Sequence, residues 1–156
     1  MIDIREVWEI ADDPKNFLHE MFEYLDGLCC FGADIDMLNH AQRILYLVLH
    51  TRYAVEFSGF PTALSTFPDK DVLRMAEAFQ TIGAQKTAEI CHKAANAYGK
   101  PLPSDLSERA DMTDDMATEA LQALFDHYDD EFEHCGDDLT ALCFAYVMDC
   151  PDSFGK

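Results

Sequence analysis

Apolar residues recur along this chain at three- and four-residue spacing, and nowhere in the strict alternation of a half-buried strand. That period predicts an all-α protein, a single compact helical domain over residues 1–156. A first short helix is expected at about 3–11, ending before Asp12-Asp13-Pro14. Pro14 can open a second helix, with Phe17, Leu18, Met21, Phe22, Leu25 and Leu28 inward and Gly32 just beyond it. The third segment, 35–57, has a different character. Leu38, Leu45 and Leu49 share one side, while Ile44, Tyr46, Leu47, Val48, Tyr53 and Val55 carry the apolar surface round the others. A helix apolar nearly all round is a buried one, so 35–57 is predicted to be the central helix. Arg52 and Glu56, four residues apart on it, are expected to form a partly buried structural ion pair.

Gly59 and Pro61 then break the pattern, with Phe60 between them, and a short helix is expected at 62–67. Asp69 can cap a helix running to about Ile82. Gly83 marks a break, and a further helix over about 84–98 ends at Gly99. Pro101 and Pro103 keep the next segment extended. Two last helices are expected, at about 113–134 and 137–149. There is no repeat and no linker long enough to separate a second domain.

Charge changes the picture, because it is unevenly placed. Residues 1–60 hold 11 acidic against 4 basic side chains, residues 61–103 hold 4 against 5, and residues 104–156 hold 15 against 2. The formal net charge is −19, yet hydrophobic residues make up 49% of the chain, with 11 Phe and 6 Tyr. An acidic disordered tail would be poor in aromatics, so the charge decorates a folded body. Such a body repels nucleic acid and anionic membranes and attracts basic proteins or cations; the alternative is a charge that serves solubility or a salty cytoplasm.

Helical phasing narrows this to a stripe. If 113–134 is one helix, then Asp115, Glu119, Asp126, Asp130 and Glu133 fall within about 60° of one another. Asp137 continues the line and Asp129 lies beside it. Leu121, Leu124, Tyr128, Phe132 and Cys135 take the opposite, core-facing side. Any amphipathic helix has a solvated face, but ordinary ones interleave Lys or Arg with Glu. From Ala110 to Gly155 this chain has no Lys or Arg. Asp115, Glu119, Asp126, Asp129, Asp130, Glu133 and Asp137 are therefore the candidate partner-binding residues. Arg52, Glu56, Gly59, Phe60 and Gly83 are candidate structural ones.

Catalytic patterns are missing. There is no phosphate-binding glycine loop, no Gly-x-Ser-x-Gly, no zinc spacing and no EF-hand. Two Glu-x-x-His patterns occur, Glu89 to His92 and Glu131 to His134. Paired across facing helices such patterns build di-iron sites, but Glu89 and His92 fall opposite the apolar side of their helix. No cofactor, no metal and no enzymatic activity are expected. The six cysteines form no Cys-x-x-Cys pair, which suits reduced thiols. No signal-like leader opens the chain, and its longest apolar run, Ile44 to Leu49, is too short to span a membrane. A cytoplasmic location is expected.

The order of segments also carries a likeness. Gln42-Arg43-Ile44-Leu45-Tyr46-Leu47 is followed by Glu56-Phe57-Ser58-Gly59-Phe60, Ile82-Gly83-Ala84, Ala94-Ala95, and a late helix with Asp126 and Tyr128. Over about 17–147 this resembles the DNA mimic protein family, a bacterial domain of unknown function typified by a neisserial member. The family's usual Gly-Gly-Phe-x-Gln stands here as Ser58-Gly59-Phe60-Pro61-Thr62. The resemblance implies an all-helical fold, no catalytic residues and, as in the typifying member, a homodimer whose acidic surface imitates DNA phosphates and occupies a transcription factor. Three functions compete: an anionic decoy for a basic DNA-binding protein, a shape-based adaptor or immunity-type module, and, remotely, a metal-dependent enzyme.

Overall fold

A computed structural model describes Glu6 and residues 13–155. The helix expected at 3–11 lies outside the described residues, apart from Glu6. Among those described there are eight α-helices and no strand: α1 (Pro14–Leu28), α2 (His40–Ser58), α3 (Phe60–Thr66), α4 (Arg74–Thr81), α5 (Gln85–Ala95), α6 (Leu106–Asp115), α7 (Glu119–His134) and α8 (Leu139–Asp149). Short 3-10 turns occupy Ile35–Met37 and Pro151–Ser153. None of these helices is long and apolar enough to cross a membrane. The six cysteines are free thiols.

Side-chain caps explain several helix starts. Asp13 accepts from the Asn16 amide, and Pro14 supplies the pre-set first turn of α1. At α2, the Asn39 Oδ1 accepts from the Gln42 amide at 2.9 Å while Gln42 Oε1 accepts from the Asn39 amide at 3.0 Å. This reciprocal box starts the helix at His40 rather than at residue 35. No side chain from Ala41 to Val55 is fully exposed, as expected of a central helix. Arg52 and Glu56 meet at 3.0 Å with side chains 17% and 51% exposed, a partly buried pair.

Contacts gather the described residues into two units. The described parts of 1–46 and 138–156 make one, in which α1 packs on α8. Phe17 meets Phe144 edge-on at 5.6 Å, Phe22 stacks on Tyr46 at 5.5 Å, and the Tyr46 hydroxyl donates to Asp26 at 2.7 Å. Burial and the Asp26 carboxylate push that phenol's pKa far up.

Leu47–Asp137 makes the other unit. Here α4 and α5 form a hairpin through Gly83, whose φ of +89° favours glycine. Helix α3 packs on α6 and α7, and α5 on α7. Phe132 takes Phe60 and Phe79 edge-on, at 5.6 and 6.0 Å. The helix predicted from Asp69 begins five residues later. Asp69 is buried; its carboxylate holds the Asp71 amide and the Arg74 guanidinium, which organises a turn instead.

Arg109 on α6 is wholly buried. Its Nε donates to Pro103 O, Nη1 to Leu64 and Phe67 O, and Nη2 to Asp69, Lys70 and Ser104 O, over 2.8–3.5 Å. One guanidinium therefore satisfies carbonyls at the end of α3 and on the segments on either side of the α4–α5 hairpin. Burial lowers its pKa and Asp69 and Asp105 raise it again. An arginine stays protonated under such shifts. Removing it would leave a set of buried carbonyls unpaired. Arg109→Met is expected to cost about 3–5 kcal/mol in urea unfolding, whereas Arg52→Ala should cost less than about 1 kcal/mol because its pair is partly solvated. Equal losses in the two variants would contradict this ranking.

Candidate functional site

The expected acidic helix is two helices. Helix α6 ends at Asp115, Met116 closes it, and Thr118 caps α7 by accepting from the Leu121 amide at 3.2 Å. The single phasing that joined Asp115 to Glu119 is thus lost. Asp115 is exposed, but on the last turn of a different helix. The cap signal was present in Thr118 followed by Glu119 in the first turn. The start of α6 was legible too, since Asp105 caps Glu108 in a capping pattern.

Helix α7 is also rotated from its predicted setting. Phe125 and Phe132 are its buried residues, and Leu124, expected inward, lies at the exposed edge. The rotation turns Asp129 into the protein. Its Oδ1 accepts from the Phe60 amide at 2.8 Å, at the start of α3. The cap position there is Gly59, which has no side chain to offer. Asp137 does the same for α5, whose cap position is Ala84. Its Oδ2 accepts from the Thr87 amide at 2.8 Å and from the Thr87 hydroxyl at 3.0 Å. Two of the seven candidate acids therefore supply, from a distance, the negative groups that two helix N-termini lack.

Glu119, Asp126, Asp130 and Glu133 remain as an exposed face of α7. Asp126 accepts from the Gln122 side-chain amide at 2.9 Å, which leaves its charge intact. Asp130 lies 3.3 Å from His134, and Glu131 lies 3.4 Å from His127. The backbone carbonyl of Asp130, with Glu133 and the Asp130 carboxylate, holds the His134 pKa above its ordinary value. On one flank the tertiary structure supplies cations that the local sequence does not. Lys86 and Lys93 of α5 line a surface cleft with Glu89, Asp130, Glu131 and His134. Parts of the two Glu-x-x-His patterns thus share one cleft, with lysines among them. Among the described residues no group of three or more His, Cys, Asp or Glu could hold a metal ion.

Gly59 is held tightly. Its φ is +86°, and a Cβ there would stand 2.6 Å from Asp129 Oδ2. The carboxylate cannot withdraw without giving up Phe60, whose ring is wholly buried. Gly59→Ala is expected to lose about 1–3 kcal/mol of stability, read by thermal and urea unfolding. Burial is the main cause that raises the Asp129 pKa, opposed by the Phe60 amide and reinforced by Asp126. A carboxyl with a raised folded pKa contributes stability below its ordinary value of 3.8 and loses it as pH rises through the folded value. Asp129→Asn should therefore gain on the wild type between that acid range and neutral pH. A constant difference would rule out the buried charge as the cause.

Comparison with curated proteins and with solved structures gives no match. A family model described as DMP19-like protein, the DNA mimic family, matches residues 36–150. That range takes in α2 to α8, Gly59 with its Asp129 clasp, Arg109 and the acidic face, so the chain belongs to the DMP19-like family.

Proposed function

We propose that this protein is a non-enzymatic anionic decoy, and that the exposed face of α7 receives the basic surface of a DNA-binding protein such as a transcription factor. The observation that carries the reading is the set Glu119, Asp126, Asp130 and Glu133, exposed on one helix in a member of a DNA mimic family. Glu119 to Glu133 spans about 21 Å at 1.5 Å per residue. The mean gap is about 7 Å, twice the axial charge spacing of one DNA strand. The individual gaps are about 10.5, 6 and 4.5 Å on the same rise, so a lysine- or arginine-lined groove that follows a phosphate chain can meet the row at part of its charges. Association should be fast and steeply salt-dependent. A cytoplasmic location and a homodimer belong to the same proposal, with Asp115 as an outlying acidic contact.

A second reading rests on Phe57, which is 92% exposed at the end of α2 beside the Gly59-Phe60 break. Shape-based docking through that ring would persist in high salt, because apolar burial is weakly screened.

Glu119→Gln, Asp126→Asn, Asp130→Asn and Glu133→Gln combined should abolish capture of a basic DNA-binding protein from native extract. Thermal stability should hold or rise, since like-charge repulsion is removed. In the wild type, added DNA should displace the captured protein, and capture should strengthen as pH rises past the His134 titration and the face loses a positive charge. Capture that survives the fourfold change and several hundred millimolar salt, but is lost in Phe57→Ser, would replace the decoy with the shape-based module.

A further inference from the structure

Arginine and lysine are used differently in this structure. Arg43, Arg52 and Arg74 each meet a carboxylate, and Arg109 is bonded to carbonyls. Lys70 and Lys100 have no carboxylate partner among the described residues, although the chain holds 30 acidic side chains. Both lysines line one surface cleft of about 440 Å³, together with Leu73, Pro101, Leu102 and Asn96. That volume lies in the range of small-molecule sites. Its acidic lining residue, Asp71, accepts from the Leu73 amide at 3.0 Å and keeps its charge, so the two lysines leave the lining with one net positive charge. Leu73 leaves 44% of its surface in solvent here, an apolar wall without a cover. Apart from Ser104, the lining falls within 61–103, the one stretch where basic residues outnumber acidic ones.

The rims are set before any ligand arrives. Arg109 Nη2 donates to the carbonyl of Lys70 at 3.5 Å and to that of Ser104 at 3.3 Å. Two lining segments that are far apart in sequence are thus tied to one buried guanidinium. A site fixed this way costs little ordering on binding. Two unpaired ammonium groups beside an apolar wall select an anionic head joined to a hydrocarbon body.

The geometry points to this cleft as a binding site for small amphipathic carboxylates, with the carboxylate at Lys70 and Lys100 and the chain against Leu73, Pro101 and Leu102. The site is separate in its residues from the acidic face of α7 and does not depend on the decoy reading. Octanoate is the probe, titrated into the full-length protein and followed by backbone amide NMR. Saturable shifts are expected at residues 70–73 and 99–104, weakened at least tenfold in Lys70→Gln/Lys100→Gln and unchanged in the fourfold α7 variant. Octanamide and inorganic phosphate should each bind at least tenfold more weakly, one lacking the charge and the other the hydrocarbon. Both lysines are exposed, and unshifted signals outside the cleft will report that the double variant is folded. Shifts elsewhere only, equal affinity in the double variant, or octanamide or phosphate binding as tightly as octanoate would overturn the assignment.

Discussion

A guanidinium shut away from water must have its N–H groups bonded, and among the described residues the acceptors at Arg109 are main-chain carbonyls. This requirement fixes where several pieces of chain can lie. The last turn of α3, the turn at Asp69 and Lys70, and the proline segment before α6 must all present oxygens to one planar group. Buried Leu64 and Phe67 also hold the last turn of α3 by apolar packing, and the guanidinium adds a polar tie from that turn to the other two segments. The α4–α5 hairpin grows out between two of them, so its root is anchored by the same side chain. A lysine could not replace Arg109, since a single ammonium has neither the reach nor the planar fork.

The acids of the last third divide by the same logic of unmet backbone groups. Gly59 must be glycine to turn the chain, and Ala84 sits where α5 begins; neither can cap the helix that follows. Asp129 and Asp137 fill those vacancies from other parts of the fold. Their charges are consumed internally by amide dipoles. Glu119, Asp126, Asp130 and Glu133 face solvent on the same helix that delivers Asp129. The exposed field and the internal clasp are thus built on one rigid element, and its phase decides which carboxylate does which. Lys86 and Lys93 then temper one flank, leaving the field lopsided across α7.

Much of this was open to reading in the chain. Three- and four-residue periodicity gave the helices, because burying one side of a helix imposes that spacing whatever its neighbours are. The all-round apolar character of 35–57 announced a sheltered helix, and Gly83 a break between two helices. The break at Met116–Thr118 and the start of α6 were signalled by local capping residues, which weigh less than the continuous run of acid that obscured them. Arg109 had one signal, as the lone Lys or Arg between Ser104 and Gly155. A sequence does not say which carbonyls a long side chain will find, so its role was invisible.

By itself, then, the sequence determined the all-helical class, the order of most helices, the family, and the surplus of negative charge in the last third. These follow from local period, motif order and composition, none of which needs a partner across space. The tertiary structure alone decided which acids are spent on helix N-termini, which stay exposed to solvent, and where lysines from α5 offset them. Those outcomes depend on the rotation of α7 against α3 and α5. That rotation is set by the packing of Phe60, Phe79, Phe125 and Phe132 and by the long-range hydrogen bonds of two carboxylates, whose free energy exists only once distant segments have met.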